Sequence, residues 1–215
     1  MRKSVKIPLG NVTLEGELSL PNDAHGLVIF SHGSGSSRFS PRNNFVAEQL
    51  QQRGIGTFLF DLLTEAEDSD YSQRFNIELL SQRLVHVTEQ ILGDPEINNL
   101  PIGYFGASTG AASALIAAAS LRNMISVIVS RGGRPDLAMD YLREVKAPTL
   151  LIVGELDAIV IKLNQEALQK LHGVKQLVIV PGATHLFEEP GTLEQVSQLS
   201  ADWFMQYLSL KKLVH

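Results

Sequence analysis

The chain contains no cysteine among its 215 residues. Disulfides, zinc–thiolate sites, iron–sulfur clusters and a cysteine nucleophile are excluded together, and the composition is compatible with a reducing compartment. Positive charge is also scarce. Lys and Arg number 18 against 23 Asp and Glu, a formal net charge of −5, so no basic surface asks for nucleic acid. No apolar run reaches the length of a membrane span. The opening segment MRKSVKIPLGNVTLEGEL carries charge but lacks the apolar centre of a signal peptide. These absences predict a soluble, cytoplasmic protein with no nucleic-acid or membrane partner. Repeats, low-complexity segments and linkers are missing as well. A chain of this length buries roughly 70% of its unfolded surface without covalent staples, and the expectation is a single domain over residues 1–215.

What is present is a series of short apolar runs. Val5 to Leu20 alternates polar and apolar residues and breaks at Leu9-Gly10-Asn11, which predicts an N-terminal antiparallel hairpin. The pattern then changes. Gly26–Ser31, Gly56–Asp61, Ile102–Ala107, Ile125–Ser130, Pro148–Gly154 and Gln176–Gly182 are continuous apolar runs without alternation. Such runs suit strands buried on both faces of a parallel sheet. Helical spacing lies between them, in Phe45–Gln52, Ile77–Ile91, Thr109–Leu121, Leu163–Leu171 and Leu193–Leu210. Strands alternating with helices predict an α/β protein with a mostly parallel, doubly wound sheet. The acidic stretch Thr64–Asp70 reads as a solvated loop. No insertion is long enough for a separate lid domain.

Gly106-Ala107-Ser108-Thr109-Gly110 is a G-x-S-x-G sequence at a strand-to-helix junction. Exposing a serine oxygen at the end of a strand requires a sharp, strained turn, and side chains at the flanking positions would clash, so glycine is favoured there. The helix that follows aims its N-terminus and its free N–H groups at the same point, where they favour negative charge. A serine in this position is either a turn residue or a nucleophile, and a nucleophile needs a base. His185 follows the last apolar run, so a parallel sheet brings it to the edge that carries Ser108. His25, His86, His172 and His215 lie before a strand, within a helix or after helices. The base needs an orienting acid. Asp157 follows the run ending at Gly154, with Glu155 as its competitor two residues away. The order Ser108, Asp157, His185 is that of α/β-hydrolases. In these roles Ser108 attacks, His185 takes and returns the proton, and Asp157 holds the imidazole.

The oxyanion formed on attack needs donors. The Thr109 amide is one. The glycine-rich turn His32–Ser37 supplies the second, from Ser34 or alternatively Gly33 or Gly35, with His32 as a structural hydrogen-bonding residue. The same turn has a rival reading as a dinucleotide fingerprint, since Asp61 ends the next strand. Its third glycine position is Arg38, and Pro41 starts the helix too late for a pyrophosphate site. Neither a G-x-x-x-x-G-K-[ST] loop nor an H-E-x-x-H pair occurs. No cofactor and no metal is expected.

Six segments together, SHGSGSSRFSPRN, FDLLTEAE, GASTGAASAL, SRGGRPDLA, LLIVGELD and GATHLFEEPG, resemble the dienelactone hydrolase-like branch of the α/β-hydrolase superfamily. The resemblance spans about Gly26 to Phe204. It implies a parallel-rich sheet of eight strands, carboxylic-ester chemistry and no metal, and it carries over Ser108, Asp157 and His185 in matching motifs. One departure is that dienelactone hydrolases proper use a cysteine nucleophile, so the resemblance implies ester chemistry without implying the dienelactone substrate itself. The related small proteins, some fused to phosphoribosyltransferase domains, carry serine here.

The expected activity is that of a serine hydrolase acting on a small-molecule ester or lactone through an acyl-enzyme. The same triad also serves thioesterases and acyltransferases, and a non-catalytic binding module on this fold is the alternative of another class. Arg131 and Arg134 follow the strand Ile125–Ser130, and Arg38 and Arg42 follow the oxyanion turn. Two readings stand for Arg131, Arg134 and Arg38. Either one of them holds a substrate carboxylate, or they are solvated or paired with carboxylates such as Asp136.

Overall fold

A computed structural model describes residues 1–208 of the chain. The last two residues of the expected helix Leu193–Leu210, and His215, lie outside the described residues. Eight strands form one sheet: β1 (Arg2–Leu9), β2 (Val12–Ser19), β3 (Leu27–Ser31), β4 (Gly56–Phe60), β5 (Ile102–Ala107), β6 (Ile125–Arg131), β7 (Thr149–Gly154) and β8 (Lys175–Val180). Their order across the sheet is β1-β2-β4-β3-β5-β6-β7-β8. The first two pairings, β1–β2 and β2–β4, are antiparallel, and the remainder are parallel. The parallel part is what the apolar runs predict, and the whole eight-stranded sheet is the α/β-hydrolase arrangement that the resemblance implies. Gly10 opens the two-residue turn between Leu9 and Val12 with φ of +61°, the left-handed value that such hairpin turns require.

Strands β3 to β5 and β7 are buried at every residue, as expected of runs without alternation. Their side chains still divide between two cores, because successive residues face opposite sides of a sheet. Leu27, Ile29, Phe58 and Tyr104 pack against α3 (Ile77–Leu92), α4 (Thr109–Leu121) and α5 (Ala158–Lys170). Val28, Phe30, Phe105 and Val129 pack against α1 (Pro41–Gln52) and α6 (Thr192–Leu208). Helix α4 is buried along nearly its whole length, and only Ile116 and Ser120 reach solvent. Its alanines and glycine let it lie close to the sheet. A Cβ on Gly110 would sit 2.1 Å from the Ser31 carbonyl oxygen.

Two helices begin earlier than apolar spacing suggests. Helix α1 starts at Pro41, with Ser40 Oγ accepting the Asn43 amide at 3.3 Å. The proline fits the first helical position because its missing N–H has no partner to lose there. Helix α5 starts at Ala158, directly after Asp157. The acidic stretch Thr64–Asp70 is not simply a solvated loop, which corrects the sequence reading. It holds a short helix α2 (Glu65–Asp68) closed by a reciprocal capping box between Thr64 and Glu67. Arg83 from α3 donates to both Glu67 carboxylate oxygens, at 2.8 and 2.5 Å, and holds that carboxyl at a pKa of about 2. Among the described residues no helix is long and apolar enough to cross a membrane.

Candidate active site

Strands β3, β5, β6, β7 and β8 are neighbours and run in the same direction, so their C-terminal ends share one edge of the sheet. The residues expected to carry chemistry lie at or just after those ends, Arg131 being the last residue of β6 rather than following it. Ser108 sits between β5 and α4 with φ of 52° and ψ of −121°. Positive φ is strained for a residue with a Cβ, and strain of this kind costs about 1–3 kcal/mol. Surrounding hydrogen bonds over-determine the turn. The Ser108 amide donates to the Arg131 carbonyl at 3.1 Å, and the Ser108 carbonyl accepts the Arg134 and Ala111 amides at 3.0 and 3.1 Å. The flanking glycines are required by close approach. A Cβ on Gly106 would meet Ala111 Cα at 2.5 Å.

The side chains of Ser108, His185 and Asp157 form a continuous chain. His185 Nε2 lies 3.3 Å from Ser108 Oγ, and His185 Nδ1 lies 2.6 Å from Asp157 Oδ2. With Asp157 ionised, the ring donates from Nδ1 and accepts the serine hydroxyl proton at Nε2. The 3.3 Å separation is long for a hydrogen bond, as catalytic contacts often are before substrate is bound. Asp157 keeps only 15% of its side-chain surface exposed against 38% for His185, so the acid lies beneath the ring. Gly132, with φ of +52°, backs the imidazole, and a Cβ there would come within 3.5 Å of its Cε1 and Nδ1. The sequence reading passed over this glycine, although the Gly132–Gly133 pair marks a close backbone approach. Glu155 points elsewhere. Its carboxylate accepts the Gly182 amide at 2.8 Å and ties the β7 and β8 loops together.

The glycine-rich turn after β3 lies against the serine. A Cβ on Gly33 would meet Ser108 Cβ at 3.1 Å. His32 is buried, with Nε2 accepting the Leu62 amide at 3.0 Å and Nδ1 donating to the Gly33 carbonyl at 2.9 Å. Burial pushes the ring below the usual histidine pKa. It is a neutral brace between the turn and the segment after β4. The Ser34 amide does not point freely into the site. It donates to Thr109 Oγ1 at 2.9 Å, a contact that sequence reasoning could not show because it depends on one rotamer. The Thr109 amide begins α4 and has no partner within its own helix.

The three arginines part company. Arg38 pairs with Asp61 and, at 2.8 Å, with Glu15. It faces a cleft of about 500 Å³ between the hairpin and the β4–α2 segment, beside Phe39 and Thr64. Arg134 donates to both carboxylate oxygens of Asp136, at 2.8 and 2.7 Å. Arg131 is different. It is 7% exposed and forms no ion pair among the described residues. Among the described residues its Nε is buried without a partner, and the one hydrogen bond of its guanidinium is a long one of 3.5 Å to Asn43 Oδ1. The guanidinium stands 5.9 Å from the centroid of the Phe187 ring. Burial, reinforced by the nearby charge of Arg42, lowers its pKa to about 10, so it stays charged at neutral pH. Arg42 itself donates to Glu188 at 2.9 Å. Among the described residues no group of three or more His, Asp or Glu side chains could hold a metal ion.

Comparison with known proteins fits this arrangement. A family model described as the dienelactone hydrolase family matches residues 14–208. The crystal structure of a dienelactone hydrolase from Anabaena variabilis superposes with a TM-score of 0.93 at 52% identity, covering 97% of this chain and 98% of that one. Est1E from Butyrivibrio proteoclasticus shares the fold, with a TM-score of 0.82 at 16% identity over 94% of this chain and 98% of that one. Two Mycobacterium tuberculosis proteins that bear the provisional name phosphoribosyl transferase are 54% identical over 206 residues, 96% of this chain. The match covers 46% of their length, so the chain spans about half of the curated relatives it matches. With the family model matching from β2 to the end of α6, the chain belongs to the dienelactone hydrolase family.

Proposed function

We propose that the chain is a serine hydrolase that cleaves carboxylic esters or lactones through an acyl-enzyme. The observation that carries this reading is the chain of side chains from Ser108 Oγ through His185 to Asp157, at 3.3 and 2.6 Å. Ser108 Oγ bonds to the carbonyl carbon while its proton passes to His185 Nε2. The carbonyl electron pair moves onto oxygen at the N-terminus of α4. Collapse of that intermediate breaks the ester bond, and His185 returns the proton to the departing alkoxide. Water then repeats the sequence against the acyl-serine, with His185 as base. Asp157 fixes the tautomer throughout and offsets the imidazolium charge.

The test is turnover of a p-nitrophenyl ester with a burst of about one product per chain, the mark of an accumulating acyl-enzyme. A fluorophosphonate should label Ser108. A label found on another serine by mass spectrometry overturns the assignment. An intact fold with no turnover on a panel of esters, thioesters and lactones supports the binding-module alternative. Partitioning of the burst to an added alcohol supports an acyltransferase.

Arg131 adds a substrate preference to the reading. A buried cation without a counter-charge is costly, and a substrate carboxylate would supply the missing partner. Charge-assisted hydrogen bonds contribute about 1.5–3 kcal/mol, so an ester bearing a free carboxylate should exceed its neutral methyl ester in kcat/KM by about tenfold or more. Arg131→Met keeps much of the apolar stem and should bring that ratio close to one. Equal kcat/KM for the two esters on the unaltered protein would end the idea.

A further inference from the structure

Among the described residues most helical hydroxyls dispose of their protons within their own helix. Ser81, Thr88 and Ser200 donate to the carbonyls of Ile77, Leu84 and Val196, at 2.6, 2.7 and 2.7 Å. Ser113 donates to Gly110 at 3.0 Å. Thr109 cannot do this. It is the first residue of α4, so the residues three and four before it, Gly106 and Phe105, belong to β5 and place no helical carbonyl behind its side chain. Its Oγ1 accepts the Ser34 amide at 2.9 Å, and among the described residues its proton has no acceptor. Thr109 is 3% exposed, follows the strained Ser108 in sequence, and touches through Oγ1 the turn after β3 whose Gly33 approaches that serine.

We propose that the Thr109 hydroxyl is itself an oxyanion donor, polarised from behind by the Ser34 amide. The inference rests on the reading of Ser108 as the nucleophile. When Ser108 Oγ bonds to the carbonyl carbon, the C=O π pair moves onto oxygen and the serine proton moves to His185. The new oxyanion then accepts from the Thr109 amide and from the Thr109 hydroxyl. An N–H donated to a hydroxyl oxygen strengthens the O–H as a donor, because successive hydrogen bonds polarise one another. Ser34 thus acts one bond further back than a direct amide donor. The opposite arrangement is a plug, in which the hydroxyl occupies the Ser34 amide only until substrate displaces it.

Thr109→Val and Thr109→Ser separate the two. Valine keeps the branched shape and loses the O–H, and serine keeps the O–H and loses a methyl group. Loss of one oxyanion donor lowers kcat by about 10²–10³-fold, so Thr109→Val should lose about 10²-fold in kcat on a p-nitrophenyl ester while KM moves less than about twofold. Thr109→Ser should stay within about fivefold of the parent, far below that loss. A trifluoromethyl ketone, which forms a tetrahedral adduct on an active serine, should weaken for Thr109→Val by the same factor as kcat/KM. Unchanged inhibitor affinity overturns the proposal. So does a Thr109→Val or Thr109→Ala variant with kcat at or above the parent, which is the plug's signature, and so does an equal loss in the valine and serine variants. Thr109→Ala is read in place of valine if the latter does not fold. Ser108→Ala is run beside them. If it retains turnover, the nucleophile reading falls and the hydroxyl role with it. If it is dead while Thr109→Val is fully active, only the hydroxyl role falls.

Discussion

Ser108→Ala is expected to lower kcat on a p-nitrophenyl ester by about 10⁶-fold, the loss typical of a triad that works as a unit. The size follows from what the hydroxyl does. Without Oγ no acyl-enzyme forms, His185 has no proton to take, and the α4 N-terminus has no oxyanion to stabilise on a covalent adduct. A residual rate of about 10³–10⁴ over water should survive, because donors and binding contacts remain and can act on a water molecule. The fold should persist. Alanine meets nearly the same steric strain at φ of 52° as serine does, and the backbone bonds to Arg131, Arg134 and Ala111 do not involve the side chain. Steady-state kinetics and thermal melting of the same preparation measure both parts. A folded Ser108→Ala protein with kcat within tenfold of the parent would remove the covalent mechanism.

Asp157→Asn should cost about 10⁴-fold in kcat, the loss seen when a triad loses its acid and keeps its shape. The amide can replace Oδ2 at 2.6 Å from His185 Nδ1 only by presenting either an oxygen or an NH₂. An NH₂ there would hold the ring with its proton on Nε2, the tautomer that cannot accept from Ser108. Neither form of asparagine offsets an imidazolium charge. Glu155→Gln should change kcat by less than about tenfold, since Glu155 reaches the Gly182 amide and not the imidazole. Kinetics on both variants decides the assignment, and the reverse ranking would transfer the role to Glu155.

Most of the framework could be read from the chain because burial on both faces demands uninterrupted apolar runs; all six parallel strands carry one, and β3, β4, β5 and β7 are buried at every residue, whereas the edge strand β8 is not. The hairpin was legible from its alternation, and the Gly–Ser–Gly junction from the steric needs of a sharp turn. What escaped did so for identifiable reasons. Helix α2 is a single turn, Glu65-Ala66-Glu67-Asp68, too short and too polar for periodicity to reveal, yet Thr64 and Glu67 at capping-box spacing were a usable signal. The first turn of α5, Ala158-Ile159-Val160-Ile161, is rich in β-branched residues and lacks helical spacing, and Ile159 is largely exposed. In the site, the pairing of Arg134 with Asp136 is local enough to be read from the sequence. The pairing of Arg38 with Asp61 and Glu15 depends on β2 and β4 lying side by side. The Ser34–Thr109 contact and the isolation of Arg131 depend on side-chain directions that no spacing encodes.

The position of the three side chains along the chain has a kinetic consequence. Ser108 and His185 are 77 residues apart, and Asp157 and His185 are 28 apart. Loops of those lengths cost entropy to close before any contact between their ends repays it, and parallel pairing forms slowly for the same reason. Helix α4 or the β1–β2 hairpin can assemble from neighbouring residues, but neither brings the serine to its base. That meeting requires β5, β6, β7 and β8 to stand in register. During refolding or synthesis, a chain that has recovered its helices is therefore still without a nucleophile–base pair. On the reading proposed above, the reactivity of Ser108 toward a fluorophosphonate is therefore expected no earlier than the pairing of β5 to β8.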